Sequence, residues 1–254
     1  MEGFQFDADA FLRDSKARLK FRYSHLIKPV FDGFDALLAE PEDYQALWTF
    51  DVDQMEFPAR KADPDDGLVI RRGEKNADPL MPAYDVKAVM QYTERVPYLL
   101  ESRGVDMTRH LPFLEACAEL LHANKTAALA MAKAIDARKG SRLFPAILRS
   151  TEHRMRLLCY PPQAEGTVIG KKHKDRCDWT IHMAEDFPAC HVKGELIEAK
   201  DDDAFVFASS RFEQHMGGLV PTAEAQEHEI KVPPGSPWAN RPRHCAVTFI
   251  RSDR

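Results

Sequence analysis

Hydrophobic positions change their spacing about halfway along the chain. Up to Gly140 they recur every three or four residues among charged ones, which is the spacing of amphipathic helices. This pattern predicts a helix over residues 9–27 that Pro29 stops, and a shorter one over residues 30–38. It also predicts a helix over residues 85–101, which Pro97 bends or ends.

The longest helical pattern covers residues 111–138. Its broad apolar stripe predicts a helix packed against a sheet, and Gly140 stands where a C-terminal cap is expected. Residues 51–82 are polar and rich in Pro, Gly and Asp, so they are expected to form an ordered coil.

After Ser141 short strand-like segments alternate with turn-rich stretches, which is typical of a sandwich or jelly roll. The predicted strands cover residues 154–160, 178–183, 189–193, 204–208, 227–232 and 245–251. We therefore predict one α+β domain over residues 1–254. Its mainly helical portion, residues 1–150, supports a jelly-roll (double-stranded β-helix) core over residues 151–254.

Composition excludes several classes of protein. The hydrophobic content of 44% and charged content of 30% are those of a globular protein. A net charge of −5 gives no electrostatic basis for binding nucleic acid or an anionic membrane. The five cysteines form no CxxC pair, which favours free thiols in a reducing compartment. Without an apolar run long enough to span a bilayer, or a signal-peptide pattern, a cytoplasmic location is expected.

The sequence His173-Lys174-Asp175 is the strongest candidate for chemistry. It follows a predicted strand that ends in Tyr160-Pro161-Pro162, and it precedes His228 and Arg243. Two imidazoles and one carboxylate are the ligand set that holds non-haem Fe(II) and leaves coordination positions open. A His-x-Asp tripeptide alone arises easily by chance, so the order of these segments carries the prediction.

The same segments resemble the 2-oxoglutarate and Fe(II)-dependent dioxygenase superfamily, in its isopenicillin N synthase-like branch. Residues 155–162 resemble the strand that enters the family's core, and His173-Lys174-Asp175 with Thr180 downstream resembles its ligand strand. Residues 217–222 resemble the loop before the distal histidine, and residues 243–249 resemble the Arg-x-Ser strand. The likeness covers most of residues 65–251.

The resemblance implies that His173, Asp175 and His228 ligate Fe(II), with the first two on one face of a strand. It implies that Arg243 binds the distal carboxylate of 2-oxoglutarate bidentately, assisted by Tyr160 and by Cys245. The cofactors implied are Fe(II), 2-oxoglutarate and O2. The reaction implied couples decarboxylation of 2-oxoglutarate to oxidation of a small molecule, such as an amino acid or a secondary metabolite. Because Asp175 fills the carboxylate position, halogenation is not expected.

Two departures from the family's pattern keep alternatives open. Leu158 replaces the usual Asn before the Tyr, and Cys245 replaces the serine, which is a better hydrogen-bond donor. His215 is a rival for the third ligand position, and Arg241 is a rival for Arg243. An Fe(II) oxidase that does not use 2-oxoglutarate and a non-catalytic jelly-roll binding protein are the other functions considered.

Overall fold

A computed structural model describes residues 3–50, 66–71 and 87–253 of the chain. Its α-helices are α1 (Ala8–Asp14), α2 (Ser24–Leu38), α3 (Glu42–Ala46), α4 (Val96–Ser102), α5 (Leu111–Lys139), α6 (Leu143–Arg149) and α7 (Ser210–Met216). Its strands are β1 (Gln5–Phe6), β2 (Lys16–Lys20), β3 (Thr49–Phe50), β4 (Asp66–Arg71), β5 (Lys87–Tyr92), β6 (Arg154–Tyr160), β7 (Val168–His173), β8 (Trp179–Glu185), β9 (Cys190–Val192), β10 (Glu195–Leu196), β11 (Asp203–Ala208), β12 (His228–Lys231) and β13 (Arg243–Ile250).

The strands form two antiparallel sheets. The large sheet has the order β1-β2-β11-β8-β13-β6-β5-β4-β3, and the small sheet has the order β10-β9-β12-β7. Some neighbouring strands of the large sheet are distant in sequence, since β8 pairs with β11 on one side and with β13 on the other. Mixed helices and large antiparallel sheets agree with the α+β prediction.

Each face of the large sheet has its own core. On β13, Ala246 and Ile250 belong to the hydrophobic cluster shared with the helices. Cys245 and Val247, on the alternate face, pack with Ile169 of β7 in a second cluster. Because successive side chains of a strand point to opposite faces, the helices cover one face and the small sheet covers the other.

The long helix α5 confirms the prediction for residues 111–138. Met131 and Ile135 are fully buried within its apolar stripe. Gly140 follows in the left-handed conformation (φ 65°) and donates its backbone N–H to the carbonyl of Asp136, so it caps the helix as expected. Helix α5 packs against α2 and α6 on the helical side of the large sheet.

The prediction of one helix over residues 9–27 was wrong. Helix α1 ends because Ser15 adopts the left-handed conformation (φ 56°), and its hydroxyl donates to the carbonyl of Thr222 at 3.1 Å. The next residues form β2, which pairs with β11. Pro29 lies inside α2 instead of stopping it, since the burial of Val30 and Phe34 outweighs one missing backbone hydrogen bond.

The structure corrects three further predictions. The predicted helix over residues 85–101 is strand β5 followed by α4, and Pro97 begins that helix. The predicted coil contains β4, while the rest of residues 51–82 lies outside the described residues. Strand β7 was missed inside a stretch interpreted as turns. The described residues among the first 150 contribute five strands to the large sheet.

The six strands predicted after Ser141 all exist, within two residues at each end. In the described part of the chain, no helix combines the length and hydrophobicity that crossing a membrane requires.

Candidate metal centre

His173, Asp175 and His228 meet at one end of the small sheet. One potential ligand atom from each lies within 4.8 Å of the others. Nε2 of His173 is 3.7 Å from Oδ1 of Asp175, and Nε2 of His228 is 3.5 Å from its Oδ2. His228 is buried, Asp175 is partly buried and half of the His173 side chain is exposed, so the cluster opens to solvent on one side.

Two adjacent strands position the histidines. His173 is the last residue of β7 and pairs across the small sheet with His228, the first residue of β12. Their ring centroids are 4.3 Å apart. The small sheet therefore brings together two residues that are far apart in the sequence.

Asp175 lies beyond the end of β7, so the prediction that it alternates with His173 along one strand was wrong. The chain leaves the small sheet after His173 in order to enter β8 of the large sheet. Thr180 of β8 holds the carboxylate by donating its hydroxyl to Oδ2 at 2.6 Å. Ser210 of α7 donates its backbone N–H and its hydroxyl to the carbonyl of Asp175.

Hydrogen bonds of the two imidazoles leave suitable atoms for a metal. Nδ1 of His173 lies 2.7 Å from the carbonyl of Lys171, and Nδ1 of His228 lies 3.4 Å from that of Gln226. A carbonyl only accepts, so these contacts suit the neutral tautomer with the proton on Nδ1, in which the lone pair of Nε2 is available to a metal. Burial lowers the pKa of His228, Asp175 raises it and His173 lowers it, with a net decrease. This donor set fits a divalent transition metal.

Arg243 lies on the inner face of β13, fully buried. Its Nε donates to the carbonyl of Phe187 at 3.0 Å, and its Nη2 donates to the carboxylate of Glu185. The rings of Tyr160 and Trp238 lie 5.7 Å and 5.2 Å from its Cζ. The guanidinium thus lies near the ring of Tyr160. One of its terminal nitrogens, Nη2, already donates a hydrogen bond to the carboxylate of Glu185.

Cys245 is also buried between the sheets, and its sulfur lies 3.9 Å from Nδ1 of His182. Nε2 of that histidine lies 3.1 Å from Oε1 of Glu185. Burial lowers the pKa of His182, but Cys245 and Glu185 raise it to about 10. Burial raises the pKa of Glu185, while His182 and Arg243 reduce it below its ordinary value. The carboxylate of Glu185 is therefore an anion paired with the guanidinium of Arg243.

The sequence predicted a structural or surface position for His182 and gave no indication of a role for Glu185. Both lie on β8, where a β-bulge opposite Ala246 and Val247 shifts the register by one residue. That shift lets two residues three positions apart face the same side, which strict alternation does not predict. A His and a Glu inside a largely apolar strand were the signal that could have indicated this pair.

The rival residues lie elsewhere. Nδ1 of His215 is 2.9 Å from Oδ1 of Asp178, so this histidine anchors α7 to the segment before β8. Arg241 is exposed, and its Cζ lies 5.2 Å from the ring centroid of Phe187.

A second trio of possible ligands, Asp35, Cys159 and His244, lies on the helical side of the large sheet. His244 sits between the carboxylates of Asp186 (Nδ1, 2.9 Å) and Asp35 (Nε2, 2.8 Å). Burial lowers its pKa, but hydrogen bonds to Asp186 and Cys159 and the charge of Asp35 raise it to about 11. A protonated imidazole has no lone pair to offer, so we interpret this trio as an ion-pair network.

Comparisons with known proteins show a shared fold. No protein-family model matches the chain, and no curated protein matches its sequence. A full-length protein from Neurospora crassa, solved in complex with alpha-KG, is 16% identical, with 96% of this chain and 78% of that chain covered and a TM-score of 0.73.

Two further structures give similar values. The dioxygenase for auxin oxidation 1 from Arabidopsis thaliana, solved with 2-oxoglutarate, is 10% identical, covers 97% of this chain and 86% of that chain, and has a TM-score of 0.69. JOX2, solved with 2OG, Fe and JA, is 11% identical over 97% of this chain and 70% of that chain, with a TM-score of 0.69. The chain has the fold of these Fe(II)/2-oxoglutarate oxygenases.

Proposed function

We propose that the chain is a non-haem Fe(II)- and 2-oxoglutarate-dependent oxygenase that oxidises a small molecule. The observation that carries this proposal is the convergence of His173, Asp175 and His228, with both Nε2 atoms directed at one carboxylate. The fold shared with structures that hold 2-oxoglutarate supports it. In this proposal the two sheets form a double-stranded β-helix, and residues 1–254 act as one oxygenase domain.

Each residue has a separate task in the proposed site. His173, Asp175 and His228 would hold the iron, and Thr180 would fix the carboxylate. Iron with 2-oxoglutarate and O2 would supply the oxidising chemistry, with succinate and CO2 as coproducts. Arg243 would bind the distal end of the cosubstrate through Nη1, which has no hydrogen-bond partner among the described residues. The apolar cluster around Phe187 and Trp238 would exclude water there.

The substrate is proposed only as a class. An amino acid or a secondary metabolite of modest size is the working hypothesis, and hydroxylation, desaturation and cyclisation are the possible outcomes. Solved structures of the Neurospora crassa protein hold thymine or 5-formyluracil, so small planar molecules bind within this fold.

Anaerobic titration with Fe(II) and 2-oxoglutarate tests the proposal. We expect a weak visible charge-transfer band in the wild-type protein that is absent from D175A. Admission of O2 should then yield succinate, at a rate that a true substrate raises. Binding of neither Fe(II) nor 2-oxoglutarate would contradict the proposal and favour a non-catalytic binding protein.

A second candidate is an Fe(II) oxidase that consumes no 2-oxoglutarate. The hydrogen bond from Arg243 to Glu185 favours it, because it occupies part of the expected cosubstrate site. Oxidation of a substrate without formation of succinate would identify this second function.

A further inference from the structure

Glu185 is a buried carboxylate that the proposed metal site does not use. Its side chain is 1% exposed, at the end of β8. Oε2 accepts a hydrogen bond from Nη2 of Arg243, and Oε1 lies 3.1 Å from Nε2 of His182. The guanidinium of Arg243 and the imidazole of His182 thus flank one carboxylate that belongs to the protein itself.

This carboxylate changes what Arg243 can offer. The guanidinium has a planar set of donors that suits a carboxylate bound through two parallel hydrogen bonds. Here Nε is committed to the carbonyl of Phe187, and Nη2 is committed to Glu185. Only Nη1 lacks a partner among the residues that the structure describes. An incoming carboxylate would therefore form one of the two hydrogen bonds of a bidentate contact with Arg243.

The Arg243–Glu185 pair and the proposed metal site (His173, Asp175 and His228) lie on the same face of the large sheet, between the two sheets. On β8, His182 follows two residues after Thr180, whose hydroxyl holds Asp175. The thiol of Cys190 on β9 is buried near both sites. Burial raises its pKa, the charges of Glu185 and Asp175 raise it further, and Arg243 lowers it. A molecule that extends from the proposed metal site toward Arg243, between the two sheets, therefore contacts Glu185.

We propose that Glu185 is a specificity-determining residue that competes with the distal carboxylate of a 2-oxo acid for Arg243. The inference rests on the proposed function. A second anion at Nη1 would lie beside Glu185 and gain only one hydrogen bond, or it would have to displace that residue. Like charges in a buried site repel strongly. Nη1 of Arg243 still offers its N–H groups to the incoming anion, so binding is weakened and not abolished.

The test compares two five-carbon 2-oxo acids, 2-oxoglutarate and 2-oxopentanoate, which lacks the distal carboxylate. Their affinities are measured from the charge-transfer band of Fe(II)-loaded protein without oxygen, a reading independent of turnover. We expect the wild-type protein to prefer 2-oxoglutarate by less than about tenfold. In E185Q the affinity for 2-oxoglutarate should rise about 10- to 100-fold, the range of a charge-assisted hydrogen bond, with little change for 2-oxopentanoate.

E115Q is the matched control, since it removes the same charge from an exposed position of α5 and should leave both affinities unchanged. If E185Q does not fold, the wild-type comparison still decides: a preference for 2-oxoglutarate above about 100-fold would overturn the inference. A folded E185Q with unchanged selectivity would overturn it too, while the proposed function would stand. Absence of Fe(II) binding in all three proteins would instead refute the proposed function together with the inference.

Discussion

Thr180 positions one carboxylate of the proposed metal site through a single hydroxyl. It donates at 2.6 Å to Oδ2 of Asp175, the oxygen that faces His228. Outer contacts of this kind fix the orientation of a ligand, and their loss weakens metal affinity about 10- to 100-fold. We expect T180V to bind Fe(II), or Mn(II) as a substitute, more weakly by that factor in an anaerobic titration. T180S keeps the hydroxyl and should bind like the wild-type protein, whereas equal affinity in T180V would contradict this role.

The third ligand position gives a second prediction at this scale. His228 pairs with His173 across the small sheet, whereas His215 contacts Asp178. H228A should lower Fe(II) affinity by more than about 100-fold, because a direct ligand contributes more than the outer partners do. H215A should retain the affinity, and the same titration measures both. The opposite order would move the third ligand to His215.

At the residue scale, the sequence predicted His173, Asp175, His228 and Arg243 as site residues because each stands in a recognisable segment. The structure brings the first three together. The role of Glu185 could not be found in that way. Its contact with Arg243 depends on a register shift between β8 and β13, which no local pattern encodes. The hydrogen bonds that orient the two imidazoles are also products of the sheet and its turns.

Helix packing constrains α2 at Gly33. A Cβ placed there would lie 2.6 Å from Cβ of Phe113 on α5, far inside a normal contact. Alanine is intrinsically the better helix former by about 1 kcal/mol, but overpacking costs about 1–3 kcal/mol. The difference between these two effects is a net loss of up to about 2 kcal/mol in the free energy of unfolding of G33A, which urea denaturation measures.

A36G is the matched control on the exposed face of the same helix. There glycine should cost about 1 kcal/mol through propensity alone. Position 33 would then prefer glycine and position 36 alanine. Stabilisation by G33A would show that α2 and α5 can separate without penalty.

Elements were predictable where local pattern and tertiary contacts agree. Helix α5 has a long apolar stripe, interrupted at the buried Asn124, and a glycine cap, so its sequence alone specifies it. Strand β2 has helical spacing, but it pairs with β11, and Ser15 is held by contacts with residues more than 200 positions away. Strand β7 is mostly exposed and lacks the apolar alternation that marks a half-buried strand. Long-range pairing overrides local preference in both strands.

At the scale of the whole molecule, His244 joins the helical layer to the large sheet. It lies on β13, and its two nitrogens contact Asp186, just after β8, and Asp35 on α2. Burial lowers the pKa of this imidazole, but the hydrogen bond to Asp186 leads the contributions that raise it to about 11. The charged form therefore stabilises the contact between the two layers.

This contact predicts how stability depends on pH. Because the folded-state pKa lies above the ordinary value of 6.5, the contribution of His244 is complete below about pH 6.5 and is lost as pH rises towards 11. Asp35 is largely exposed, so we expect a loss of only about 1–2 kcal/mol between pH 7 and pH 10. Urea denaturation at a series of pH values measures it. H244N should be less stable than the wild-type protein at pH 7, and its curve should be flatter toward pH 10. Parallel curves for the two proteins would show that the charge on His244 does not hold the helices to the sheet.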